Sequence, residues 1–147
     1  MQGNVRLRKL HMASNNLKSL ASYSFPTMGH LRLIDLSFNR LTQLDSNTFS
    51  NLGPNLEVLH LNNNNFKRLS VRPFRSLHHL KSLRIEGNPW HCDCKLRDLW
   101  HWLQAKRLLL TFNSASCASP ASIKGKYIAL CSRNFLNVKL RLDFVEI

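Results

Sequence analysis

Residues 31–41 read LRLIDLSFNRL, with apolar residues at positions 31, 34, 36 and 41 and an asparagine at position 39. The same pattern, LxxLxLxxNxL with larger apolar residues at some leucine positions, recurs at residues 7–17, 56–66 and 80–90. The asparagines of the four units stand at 15, 39, 64 and 88, so they are spaced by 24, 25 and 24 residues. Regular spacing of this length is typical of repeat proteins, in which each repeat forms one structural unit.

Other positions keep the same register outside this motif. Phe25, Phe49 and Phe74 each stand ten residues after an asparagine of the pattern. Ordinary amphipathic helices would instead repeat apolar residues about every 3.6 residues and would need no asparagine at a fixed place. The spacing therefore favours a stack of similar coils over a bundle of helices.

The Leu-x-Leu step in each unit predicts a short strand with one buried side. The inward residues are predicted to be Leu10, Met12, Ile34, Leu36, Leu59, Leu61, Leu83 and Ile85. In stacked parallel strands, each asparagine amide would lie inside the following turn, where it can donate to and accept from backbone groups. The phenylalanines should stack as a second column on the opposite side of the core. The predicted structural residues are Asn15, Asn39, Asn64, Asn88, Phe25, Phe49, Phe74 and Trp90, which takes the leucine position in the last unit.

The repeat ends at Trp90, and a different pattern follows. Leu96, Leu99, Trp100 and Leu103 have helical spacing, so a helix is expected to cover the open end of the stack, which needs a cap. The cysteines that could fasten this cap are Cys92, Cys94, Cys117 and Cys131, for which three pairings are formally possible. A bridge between Cys92 and Cys94 is disfavoured, because a single intervening residue strains the geometry of a disulfide.

Zinc is the alternative use of this segment. His91, Cys92, Cys94 and Cys117 are residue types that bind zinc. Structural zinc sites favour CxxC-type spacing, and the Cys-x-Cys spacing found here offers poor tetrahedral geometry. We therefore expect neither a metal nor another cofactor.

From Leu7 to Phe135 the chain resembles an extracellular leucine-rich-repeat protein of the 24-residue type. The run NPWHCDCKLR and the later CASP resemble the cysteine-rich C-terminal flank of such proteins, and this resemblance implies the pairs Cys92–Cys117 and Cys94–Cys131. The family usually places its last cysteine after a Phe-x step, whereas Cys131 precedes Phe135. This departure leaves two alternatives: either the cap closes differently, or Cys94 lacks its usual partner and residues 137–147 are not family sequence. The expected fold is an α/β leucine-rich-repeat solenoid with a short parallel sheet on its concave face, closed by a disulfide-linked cap with one α-helix. The expected domains are leucine-rich repeats at 1–88, a cysteine-rich cap at 89–136 and a tail at 137–147.

Composition and compartment place further limits on function. The 147 residues include 21 Lys and Arg against 8 Asp and Glu, a net charge of +13 that favours acidic partners. No apolar run reaches the roughly 18 residues of a membrane span, although a longer parent protein could contain one.

Structural disulfides require an oxidising compartment, yet the first repeat begins at Leu7 with neither a signal peptide nor a cap before it. We therefore expect a fragment of a secreted or cell-surface protein.

The outward residues of the strands form the candidate binding surface. An apolar centre with a charged rim suits a protein ligand or co-receptor, and resemblance to Slit-, Kekkon- and Toll-like ectodomains implies roles in adhesion, receptor signalling or guidance. The predicted concave-face residues are Lys9, His11, Arg32, Leu33, Asp35, Phe38, Glu57, Val58, His60, Asn62, Arg84 and Glu86.

The alternative function is binding of sulfated glycans or other polyanions. The basic residues predicted for it are Lys67, Arg68, Arg72, Arg75, Lys106, Arg107, Lys124 and Lys126. Nucleic acid is not expected as a partner, because the context is extracellular.

Catalysis is not expected either: His11, Asp35 and His60 lack a neighbouring nucleophile, and an open sheet does not exclude water. These histidines could instead sense pH.

Overall fold

The computed structural model describes residues 6–52, 54–108 and 115–128, and the repeats form a stack of coils joined by a sheet. The strands are β1 (Lys9–His11), β2 (Leu33–Asp35), β3 (Val58–His60) and β4 (Ser82–Arg84). They pair in parallel and in chain order. The predicted α/β leucine-rich-repeat solenoid is confirmed.

The core lies behind this sheet and is built from the predicted inward residues. Ile34, Leu36, Leu59 and Leu61 are completely buried. In the first coil, Leu10 and Met12 are only partly buried. A coil buries its faces against its neighbours, and among the described residues the first coil has a neighbour on one side only.

Buried asparagine amides link consecutive coils. Asn64 donates from Nδ2 to the backbone oxygens of Leu36 at 3.0 Å and Leu61 at 3.1 Å, and its Oδ1 accepts from the Leu41 N–H at 3.1 Å. Asn39 and Asn88 are also buried and bond in the same way. These amides satisfy backbone groups that the turns leave unpaired.

Asn15 differs from the prediction for the asparagine column. Its side chain is exposed, and among the described residues Nδ2 donates only to the backbone oxygen of Ala13, at 3.1 Å. Within the part of the chain that the structure describes, no coil covers the outer side of this turn. The Asn15 amide therefore has no carbonyl of a preceding coil to reach.

The phenylalanines stack along the core and reach the cap. The ring centroids of Phe25 and Phe49 are 5.8 Å apart, and those of Phe49 and Phe74 are 6.2 Å apart. Trp102 continues this column, with its ring centroid 5.3 Å from that of Phe74. Aromatic pairs at these distances attract each other beyond their burial of area.

The cap joins a small second sheet to a helix. Strand β5 (Trp90–His91) pairs in parallel with β6 (Cys117–Ser119), and helix α1 spans Arg97–Ala105. Short 3₁₀ turns precede the helix at Cys94–Leu96 and follow β6 at Ala121–Ile123. Among the described residues, no helix combines the length and the apolar character needed to cross a membrane.

Cys92 and Cys117 form the disulfide that the resemblance implies, with sulfurs 2.01 Å apart. The bridge also removes both sulfurs from the zinc set considered above. Cys94 is exposed and has no disulfide partner among the described residues. Its expected partner, Cys131, lies outside them, as do the tail at 137–147 and the end of the cap at 136. The division at residue 88 stays a prediction.

Candidate functional site

The candidate site is the solvent side of β1–β4, which we call the concave face. Strand pairing aligns equivalent residues of successive coils in columns across this face. One column is Lys9, Leu33, Val58 and Ser82; the next is His11, Asp35, His60 and Arg84. Leu33 and Val58 are half-buried and form an apolar centre among polar neighbours.

A carboxylate lies between two imidazoles in the second column. Asp35 Oδ2 is 3.8 Å from His11 Nδ1 and 3.7 Å from His60 Nδ1. Burial raises the pKa of the Asp35 carboxyl, but hydrogen bonds from the Ser37 hydroxyl and N–H, together with His60, outweigh burial and lower it below its ordinary value. Asp35 is therefore ionised at neutral pH.

The remaining acidic residues of the face are paired with basic ones. Glu57 Oε1 is 3.9 Å from Arg32 Nε, and Glu57 Oε2 is 3.2 Å from Lys81 Nζ. Arg84 Nε donates to Glu86 Oε1 at 2.7 Å. Arg32 and Glu57 directly precede their strands, so they lie at the edge where the strands begin rather than within the two central columns.

A row of left-handed residues follows the strands. Ser14, Phe38, Asn63 and Gly87 occupy equivalent positions, with φ of 59°, 54°, 56° and 71°. Serine, asparagine and glycine are small or polar residues, whereas phenylalanine is bulky and poorly suited to this conformation. Phe38 is nevertheless 59% exposed, so no apolar core holds its side chain in place.

Asn62 differs from the prediction that it contributes to an exposed binding surface. Its residue is only 3% exposed, and its Oδ1 has no hydrogen-bond partner among the described residues. The next residue, Asn63, is already in the left-handed turn. Asn62 therefore offers little side-chain surface to a ligand on this face.

The predicted polyanion residues come from several segments of the fold. Arg72 and Arg75 share a groove. Lys67 and Arg68 lie in another segment of the same coil, where Arg68 Nη2 is 2.8 Å from Asp93 Oδ2. The remaining four lie in the cap: Lys106 and Arg107 follow α1, and Lys124 and Lys126 follow the 3₁₀ turn at Ala121–Ile123.

Two features of the structure were not anticipated from the sequence. Trp102 packs on Phe74, although its position three residues after Leu99 could have placed it on the inner side of the helix. The groove that holds Arg72 is lined by four serines, and the signal that could have found it is the pair Ser22 and Ser46, which stand at the same position of successive coils. Among the residues described, no group of His, Cys, Asp or Glu side chains has an arrangement that could hold a metal ion.

Two family models match the chain. One described as "Leucine rich repeat" matches residues 5–53, and one described as "Leucine Rich repeats (2 copies)" matches residues 54–99. Human chondroadherin is 32% identical over 123 residues, which make up 83% of this chain and 26% of chondroadherin. Trophoblast glycoprotein of Macaca fascicularis is 32% identical over 124 residues, or 83% of this chain and 24% of that protein. The chain thus spans a minor part of the length of each relative.

Solved structures show the same fold. The crystal structure of human 5T4 (Wnt-activated inhibitory factor 1, trophoblast glycoprotein) gives a TM-score of 0.70 at 32% identity, covering 83% of this chain and 44% of the solved one. A chain of the octameric complex of latrophilin 3, Unc5D and FLRT2, in which FLRT2 contributes the leucine-rich repeats, also gives a TM-score of 0.70. That match is 26% identical and covers 85% of this chain and 37% of the solved one.

Proposed function

Because the chain belongs to the leucine-rich-repeat proteins, we propose that it binds a protein ligand or co-receptor on its concave face. In this proposal the protein is secreted or displayed at the cell surface and acts in adhesion or signalling, without enzymatic activity. A chain of the complex that contains the leucine-rich repeats of FLRT2 is similar in fold, and FLRT2 is assembled there with latrophilin 3 and Unc5D. This precedent supports a protein as the partner.

The exposed, left-handed conformation of Phe38 is the main support for this proposal. A bulky residue in the left-handed region costs about 1–2 kcal/mol relative to an ordinary conformation, and the exposed ring regains none of this by burial in the core. Backbone strain of this kind concentrates at functional sites. Aromatic side chains are also enriched among the residues that contribute most to protein interfaces.

The surroundings of Phe38 fit a protein interface. Leu33 and Val58 supply apolar surface on the same face, while Lys9, His11 and Arg84 are exposed around them. A partly apolar centre inside a polar rim is the usual anatomy of such interfaces. The paired acidic and basic side chains limit the net charge of the face, so recognition by shape and apolar contact is expected to outweigh simple charge attraction.

The test compares two matched aromatic residues. Phe38→Asn removes the ring, while asparagine tolerates the left-handed backbone. Tyr23→Asn is the control, because Tyr23 has φ of 56° and is 56% exposed but stands midway between β1 and β2, away from the turn that follows each strand. Purified wild-type protein would be screened against a panel of purified cell-surface receptor ectodomains, and each binder would be retested with both variants.

Phe38→Asn is expected to weaken the binding of the identified ectodomain at least about tenfold, the range of a residue central to an interface. Tyr23→Asn should bind as the wild type does. Thermal melts of both variants should show no loss of stability. Equal binding by wild type and Phe38→Asn, or no binder in the panel, contradicts the proposal.

A further inference from the structure

We propose that a polar groove on the outside of the coils binds a sulfated saccharide. We call it the serine groove. It lies in the part of each coil that follows the asparagine and precedes the phenylalanine, and three successive coils contribute to it. Its lining is Ser19, Leu20, Ala21, Ser22, Gln43, Leu44, Asp45, Ser46, Ser70, Arg72 and Pro73. It is separate from the concave face, so it is independent of the function proposed above.

The groove has the size and chemistry of a ligand site. It is an open groove with a volume of about 410 Å³, and a second open hollow of about 270 Å³ shares Ser46 and Arg72 with it. Ligand pockets in proteins commonly have volumes of about 300–1,000 Å³. Asn47, Ser50, Arg75 and Ser76 complete the lining of the second hollow, so hydroxyl, amide and guanidinium groups dominate both.

Local backbone geometry places two arginines together. Arg72 begins the 3₁₀ turn Arg72–Phe74, and Arg75 closes it with a hydrogen bond from its N–H to the Arg72 oxygen at 3.3 Å. A 3₁₀ helix has three residues per turn, so side chains at i and i+3 project from the same side. Both guanidinium groups can therefore reach the smaller hollow that both residues line.

The two arginines are available to a ligand. Within residues 6–52, 54–108 and 115–128, no carboxylate forms an ion pair with either of them, whereas Asp35, Glu57, Glu86 and Asp93 each lie beside a basic side chain. Asp45 is the carboxylate among the described lining residues. It is engaged by the Ser22 hydroxyl at 2.5 Å and by the Asn47 N–H at 2.8 Å.

These groups match a sugar that carries sulfate esters. A guanidinium group can donate two parallel hydrogen bonds to the oxygens of such an anion. Serine hydroxyls and side-chain amides can both donate to and accept from sugar hydroxyls. The described lining contains no aromatic side chain on which a nucleic-acid base could stack. It also offers little of the deep apolar surface that a protein anchor needs.

The experiment measures binding of the purified chain to heparin oligosaccharides by calorimetry, with chemically desulfated heparin as the comparison. Arg72→Gln combined with Arg75→Gln removes the paired guanidinium groups. The matched control, Lys124→Gln combined with Lys126→Gln, removes the same charge from the cap. Phe38→Asn is included to separate this site from the concave face.

We expect the arginine double variant to bind heparin at least tenfold more weakly than the lysine double variant. Phe38→Asn should bind it as the wild type does, and desulfated heparin should bind poorly to all forms. Equal losses in the two double variants would show that diffuse positive charge, rather than the groove, holds the glycan. That result, equal binding of desulfated heparin, or no binding of heparin to the wild type overturns the proposal.

Discussion

Asn64 shows how one residue connects three coils. Its amide bonds to the backbone at Leu36 and Leu41 in the preceding coil and at Leu61 in its own. Its backbone N–H donates to Oδ1 of Asn88 in the next coil, at 3.0 Å. Because an asparagine amide offers both donors and an acceptor, it can satisfy carbonyl and N–H groups of a turn at the same time.

Asn64→Ala is expected to lower the free energy of unfolding by about 1–3 kcal/mol, because it leaves buried backbone groups without partners. Asn15→Ala is the matched control, since the Asn15 amide is exposed and bonds only to Ala13. It should change stability by no more than about 0.5 kcal/mol. Urea unfolding of both variants checks this, and equal losses would contradict the role given to the buried amide.

The repeat pattern predicts which residues have equivalent positions, but not how deeply each is buried. Asn15 and Asn64 are equivalent in sequence, yet the second is buried because a coil covers each of its sides. Asn62 was expected on the surface because it alternates with Leu61. It is buried, whereas Glu86 at the equivalent position of the next coil is only partly buried. Burial depends on neighbouring coils and on backbone angles, which a linear pattern does not contain.

At the scale of the elements, the cap is joined to the repeats by more than its disulfide. Trp102 of α1 extends the phenylalanine column, and Trp90 stacks on Phe66 with ring centroids 6.3 Å apart. The helical spacing around Leu99 predicted α1 and its inner side. The contact of Trp102 with Phe74 could not be predicted, because it depends on how the helix is placed across the last coil.

Asp93 forms a polar connection between these elements. Its Oδ2 accepts from Arg68 of the last full repeat, and its Oδ1 accepts from the Lys95 N–H in the 3₁₀ turn before α1. The hydrogen bond from Arg68 is the main cause that holds the pKa of the Asp93 carboxyl below its ordinary value, with further help from Lys95 and His91 against a smaller effect of burial. The folded state therefore favours the ionised carboxylate.

A carboxyl whose pKa is lowered by folding stabilises the protein above its unfolded pKa, about 3.9. This stabilisation is lost as the pH falls through the lower pKa of the folded state. Asp93→Asn should therefore be less stable than the wild type at pH 6, by less than about 1 kcal/mol for a pair with this exposure. The difference should shrink below pH 3.

Urea unfolding at pH 6, 4 and 2.5 measures this difference, and an NMR titration of the Asp93 carboxyl gives its folded pKa directly. Arg68→Met is the companion variant. It should raise the pKa of Asp93 toward its ordinary value and reduce the pH dependence. A wild-type Asp93 that titrates at or above the ordinary value would exclude this connection.

At the scale of the whole molecule, the period of the repeat predicted both the sheet and its register. Spacings of 24 and 25 residues place Leu33 beside Val58 and Asp35 beside His60, as the structure shows. The identity of a partner does not follow from the same pattern. In the function proposed above it depends on surface side chains such as Phe38, which the sequence predicts on the concave face but whose left-handed backbone conformation became visible only in the structure.

A stack of this kind gains its stability from contacts between neighbouring coils, so the coils need not open together. The first coil is the least buried: Leu10 and Met12 are only partly covered, whereas Leu59 and Leu61 are completely buried. The backbone N–H groups of Met12 and Leu61 nevertheless donate similarly short hydrogen bonds across the sheet, of 2.7 Å to the backbone oxygen of Asp35 and 2.8 Å to that of Arg84. Any difference in their exchange therefore reports the opening of a coil rather than a missing hydrogen bond.

Hydrogen exchange followed by NMR is expected to show the Met12 amide exchanging at least about tenfold faster than the Leu61 amide, because local opening of a poorly covered coil costs less free energy than opening of the centre. Leu10→Ala should accelerate exchange at Met12 further and leave Leu61 nearly unchanged, since coils couple mainly to their neighbours. Equal protection of both amides, or an equal response of both to Leu10→Ala, would mean that all coils open as one cooperative unit. The sheet would then transmit the loss of one leucine across the whole stack, and the nearest-neighbour account of its stability would be wrong.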